Sequence, residues 1–112
     1  MSRSHITTHV LDVMHGAPAA GIAVALVART GSDEAIAQAT TDSDGRIHQL
    51  GPSELSVGTY RLVFDTGAYF VARSQATFFP EIVLTVSLTD TRQHYHVPLL
   101  LSPFSYTTYR GS

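Results

Sequence analysis

The chain has 112 residues, 44% hydrophobic and 14% charged, with seven arginines, nine acidic residues, six histidines, no cysteine and a formal charge of −2. The missing thiols exclude disulfide frameworks, thiolate zinc sites and cysteine nucleophiles, and arginines scattered along the chain leave no basic patch for nucleic acid. Apolar stretches far shorter than the roughly 20 residues that span a bilayer, and an opening "MSRSHITTHVLDV" without the hydrophobic run of a signal peptide, predict a soluble, cytoplasmic protein with no membrane partner.

The length fits one domain over residues 1–112, whose core can bury roughly 65% of the unfolded surface without help from disulfides or metal. Along the chain the hydrophobic period is two. "SHITTHVLDV" is the first β-rich run and sets His9 on one face with Thr7 and Leu11. "GIAVALVART" and "EAIAQATTD" flank "GSD" and predict a hairpin closed by a short glycine-containing loop. The Asp-Gly pair of "DSDGR" favours a tight turn, with Arg46 directly after it. "GTYRLVFD" alternates Tyr60, Leu62 and Phe64 with Arg61, Val63 and Asp65. In "DTGAYFVARSQ" the caps Asp65 and Thr66 and the spacing of Tyr69, Phe70 and Arg73 predict a short helix. Gly67 and the β-branched Val71 oppose it and leave a longer loop as the other reading. "EIVLTVSLT" places Ile82, Leu84, Val86 and Leu88 on one face, and "RQHYHVPLLL" and "FSYTTYR", parted by "SP", complete seven strands, or eight with the piece after the Asp-Gly turn. Short strands at this spacing with a single helix predict an all-β antiparallel sandwich, and the low charged fraction suits a domain that hides surface in an oligomer.

Chemistry concentrates in the histidines. His94 and His96 share a strand face, and with His9 or His48 they offer three ligands for a zinc site, although no carboxylate or cysteine stands at ligand spacing. Without such a role a strand histidine is a half-exposed polar residue, which is the reading for His5, His15, His48 and His94. Arg46 offers a planar fork of donors for an oxyanion or a urea-like edge, or is a solvated turn residue. Ser105 and Ser112 lack a Gly-x-Ser-x-Gly setting, and no glycine-rich phosphate loop is present.

"HITTHVLDVMHGAPAAG", "TTDSDGR", "FFPEI" and the closing "YHVPLLLSPFSYTTYRGS" occur in this order over nearly the whole chain. Together they resemble the 5-hydroxyisourate hydrolases, the transthyretin-related enzymes of urate breakdown. The terminal Tyr109, Arg110, Gly111 and Ser112 form the tetrapeptide by which those hydrolases differ from transthyretin, the hormone carrier. The resemblance implies a transthyretin-like β-sandwich of two four-stranded sheets with one short helix. It also implies a homotetramer, a dimer of dimers paired around a central channel, with catalytic sites at the dimer–dimer interface. It assigns catalysis to His9, Arg46, His96 and Ser112 and substrate binding to Tyr109, Arg110 and Gly111, with 5-hydroxyisourate as substrate and neither metal nor cofactor. His94 lies outside the motif and is read as surface. Ser105 and Met14 depart from the commonest pattern, away from the catalytic positions. In the implied mechanism His9 and His96 share the proton work of water attack, Arg46 stabilises the oxyanion, and the Ser112 hydroxyl and terminal carboxylate accept hydrogen bonds at the channel mouth, where Arg110 balances charge. A non-catalytic small-ligand carrier of the transthyretin type is the alternative from another class, and a histidine-rich metal site is a second rival.

Overall fold

Alternating apolar side chains dictate two sheets packed face to face, since each strand has one face that must leave water. The computed structural model describes residues 3–29 and 35–112. In chain order the elements are β1 (Ile6–Asp12), β2 (Ala17–Pro18), β3 (Ala23–Ala28), β4 (Ala35–Thr40), β5 (Arg46–Ile47), β6 (Gly58–Phe64), α1 (Thr66–Val71), β7 (Ile82–Leu88), β8 (Tyr95–Leu101) and β9 (Tyr106–Thr108). One sheet follows the order β2-β1-β8-β9, with β5 also paired to β1, and the other the order β4-β3-β6-β7. The second has the expected four strands, and the first has five, because the two-residue β5 pairs with β1 beside the path of four. β2, only two residues long, is a strand that the hydrophobic period does not reveal. The predicted β3–β4 hairpin pairs antiparallel, and its "GSD" connection lies outside the described residues.

The pairing departs from a purely antiparallel sandwich at one place. β1 and β8 run parallel, from Ile6 opposite Tyr95 to Asp12 opposite Leu101. Thr8 Oγ1 reinforces the pair by donating to the Val97 carbonyl at 2.7 Å. Between the sheets lie fully buried Val10, Leu26, Leu62, Phe64 and Leu99, together with Phe70 from the helix, each stabilising the fold by roughly 1.5–3 kcal/mol.

The helix forms where the caps predicted it. Asp65 accepts from the Ala68 amide at 3.2 Å, and Tyr69 and Phe70 are buried. Tyr69 donates its hydroxyl to buried Asp12 at 2.7 Å, which fastens the end of β1 to the helix that follows β6. Among the described residues no helix is long and apolar enough to cross a membrane.

Because Ile6 and Val10 of β1, Ile47 of β5 and Val97 and Leu99 of β8 fill the core, the alternate residues share the sheet's outer face. On that face stand Thr7 and His9, Arg46, and His94 and His96.

Candidate active site

The Asp-Gly turn delivers Arg46 to this outer face. Asp42 Oδ1 accepts from the amides of Asp44 and Arg46, both at 2.9 Å, and the Gly45 amide donates to the Asp42 carbonyl at 2.9 Å. Gly45 adopts φ +75°, and a Cβ there would run into the Val10 carbonyl, so a side chain is excluded on both counts. Val10 in turn donates to the Gly45 carbonyl at 2.7 Å. The turn is thus clamped onto β1, and Arg46 comes out opposite His9. Its guanidinium makes no hydrogen bond or ion pair with a described residue, so its donors remain available to a ligand.

His96 is fixed from two sides. Thr7, opposite it in the parallel register, holds its Nδ1 at 2.8 Å from Oγ1. The terminal segment closes over the ring: the Gly111 amide donates to the His96 carbonyl at 2.8 Å, and a Cβ at position 111 would stand 2.7 Å from His96 Cδ2. Only glycine permits that approach. A pocket of about 110 Å³ results, bordered by Arg3, Thr7, Arg46, His48, His96 and Ser112. A wider open cleft of about 820 Å³ adjoins it and shares Arg3 and His48.

Of the residues singled out from sequence, Arg46, His96 and Ser112 meet at the small pocket, with Gly111 packed behind His96. His9 stands beside it on the same face, opposite Arg46 and Pro98, but does not line it. Tyr109 and Arg110 are not brought there. With Gly111 opposite His96 and Thr108 opposite Leu99, strand alternation puts Arg110 on the Val97 side. There its guanidinium lies 4.3 Å over the Tyr95 ring and donates to Gln93 Oε1 at 2.8 Å. Tyr109 and Arg110 border a separate cleft of about 430 Å³ against β7.

Two histidines expected at the surface lie elsewhere. His5 is buried: its Nδ1 accepts from the Leu55 amide at 2.9 Å, which leaves Nε2–H to donate to the Gln93 carbonyl at 2.7 Å. It pins together the segments before β6 and β8. His94 is half-buried, with Nε2 2.9 Å from the same Thr7 Oγ1 that holds His96. Among the described residues no three His, Asp or Glu side chains gather as a metal site would require.

The electrostatics favour neutral imidazoles. Burial lowers the pKa of His9 from its ordinary value, and the Arg46 charge lowers it further, against an opposing hydrogen bond to the Asp44 backbone. His96 is likewise lowered by burial, then by Arg46, His9, Arg3 and His48. Desolvation lowers His94 as well, aided by Arg3, His96 and His5. A neutral imidazole beside a fixed guanidinium can take a proton from water while the cation stabilises negative charge on a carbonyl oxygen. Sequence reading missed Thr7, Asp42 and Arg3, and it weighed His48 only as a half-exposed polar residue or a metal ligand. For Asp42 a signal existed in its place three residues before the turn glycine. For Thr7 none did, because its partners lie 87 and 89 residues away.

Known proteins resemble this chain over nearly its whole length. The 5-hydroxyisourate hydrolase of Salmonella typhimurium is 44% identical over 111 residues, spanning 96% of this chain and 80% of that protein. The structure of Klebsiella pneumoniae 5-hydroxyisourate hydrolase matches with a TM-score of 0.85 at 33% identity, over 96% of this chain and 98% of that one. Transthyretin from Sparus aurata matches with a TM-score of 0.90 at 34% identity, over 97% of both chains. The model of the HIUase/Transthyretin family covers residues 6–111, and this chain belongs to that family.

Proposed function

We propose that this chain is an enzyme that hydrolyses 5-hydroxyisourate to 2-oxo-4-hydroxy-4-carboxy-5-ureidoimidazoline in urate breakdown. The observation that carries this reading is the meeting of Arg46, His96 and Ser112 at one pocket, with His9 beside it on the same face. Water is a poor nucleophile toward the activated amide-type bond of the substrate ring. His9 and His96, held neutral, share the proton work: one takes a proton from the attacking water and the other orients it or protonates the departing nitrogen. Arg46 binds the oxygen on which charge develops. The Ser112 hydroxyl bonds to a substrate N–H or an imidazole. Arg110, fastened to Gln93 and Tyr95, serves by holding Gly111 and Ser112 in place.

The test is the decay of freshly generated 5-hydroxyisourate, followed by ultraviolet absorbance. The chain should accelerate it, with losses of about 10²–10⁴-fold in His9→Ala and His96→Ala and about 10²–10³-fold in Arg46→Ala. A folded wild-type chain that leaves the decay unchanged would instead be a carrier of the transthyretin type. Undiminished activity after prolonged chelation would dispose of a metal-dependent hydrolase.

A further inference from the structure

Thr7 Oγ1 stands between two ring nitrogens, 2.9 Å from His94 Nε2 and 2.8 Å from His96 Nδ1. A hydroxyl has one proton to donate, so it cannot donate to both rings at once. If it donates to His94, then His96 must carry its proton on Nδ1 and present a bare Nε2. If it donates to His96, then His94 must carry the proton on Nε2, and His96 presents Nε2–H instead. The state of one ring therefore sets the state of the other. The two rings also border different spaces: His96 the small pocket and His94 the wide cleft.

We propose that Thr7 and His94 are positioning residues for the reaction, forming a proton path that sets the tautomer of His96 and joins the pocket to the open cleft. This rests on the hydrolase reading above. In the reaction a C–O bond forms and a C–N bond breaks. One water proton goes to the departing nitrogen, and the new carboxylic acid ionises near neutrality, so one proton must leave in each turnover. His96 takes a proton from the attacking water at Nε2 and passes Nδ1–H to Thr7; the Thr7 proton moves to His94 Nε2, and His94 releases its Nδ1–H to the cleft. When the C–N bond breaks, His96 gives Nε2–H to the departing nitrogen, and the reverse order draws one proton back from the cleft and resets the rings, while the proton of the new acid is lost directly to solvent. His94 is faced by Arg3, His5 and His96, and His96 by Arg3, Arg46, His9 and His48. These neighbours are cations or imidazoles, and the carboxylates lie at the two ends of the path: Ser112 borders the pocket with His96, and Glu54 lines the cleft with His94, where it can receive the released proton.

The decisive comparison is Thr7→Val against Thr7→Ser. Thr7→Val keeps the shape and removes the hydroxyl. It should lower kcat roughly 10- to 100-fold, part of the roughly 10²–10⁴ that positioned acid–base groups supply, with KM within about twofold. Thr7→Ser should recover most of that loss. His94→Phe should lower kcat similarly and displace the acid limb of the pH–rate profile. Nitrogen-15 spectra of the imidazoles supply a readout that needs no substrate. In the wild type, protonation of His94 should change the Nδ1 and Nε2 shifts of His96, and in Thr7→Val that response should vanish. An inactive wild type with linked rings would overturn the hydrolase reading while leaving the path intact. Wild-type kcat and an unchanged pH profile in Thr7→Val, or ring shifts that ignore the hydroxyl, would overturn the path. Should Thr7→Val not fold, His94→Phe decides by the same two measurements.

Discussion

His96 receives opposed influences from its immediate neighbours. Thr7 ties down Nδ1, Gly111 covers the ring, and desolvation with the Arg46 charge lowers its pKa from the usual imidazole value. The midpoint of its protonation therefore lies below the ordinary pKa of about 6.5, and a rate that needs the neutral ring should fall as the pH drops through that lowered value. Replacing Arg46 by Gln removes a cation from its surroundings, so His96 should titrate at higher pH in Arg46→Gln. A proton NMR titration checks this, and an unmoved His96 would mean that Arg46 does not act on it. His9 and Arg46 were readable in the sequence because each adjoins a local mark, a strand alternation or an Asp-Gly pair. The side of the strand on which Arg110 falls was not, because the register of the terminal segment against β8 is set by the packing of Gly111 on His96.

Among the elements, the turn from Asp42 to Arg46 links backbone geometry most directly to the site. In Gly45→Ala a side chain must adopt a left-handed conformation and displace the Val10 carbonyl. The expected loss of folding stability is about 1–3 kcal/mol, measured by chemical denaturation, with a fall in kcat as Arg46 shifts from its place opposite His9. An Ala variant with unchanged stability would show that the clamp on β1 relaxes without cost. Strands such as β7 announced themselves, since Ile82, Leu84 and Leu88 alternate with exposed Val83, Thr85 and Ser87. The helix was legible from Asp65 and the Tyr69–Phe70 pair. β2 was not, because two residues carry no period. The parallel course of β8 beside β1 was hidden too, because strand direction is a property of the pair and leaves no trace in either strand.

At the scale of the molecule, the pocket raises the question of assembly. Its volume of about 110 Å³ is below the roughly 300–1,000 Å³ of sites that enclose a small molecule, and it opens on the outer face of a sheet. We propose that a second copy of the chain, facing that sheet, completes the site within a homotetramer. Light scattering at assay concentration should give the mass of four chains, and kcat should fall on dilution into single chains. Full activity from a monomer would refute this.

The pairing of β1 with β8 also has a consequence for when the pocket first exists. Thr7 and His96 are 89 residues apart, so a chain emerging from the ribosome holds its first strand without its neighbour until all the residues between them have been made. Joining such distant segments is the slow kind of folding event. The pocket therefore cannot form before β8 has been made, because the pairing that sets β8 beside β1 is the one that brings the imidazole to its hydroxyl.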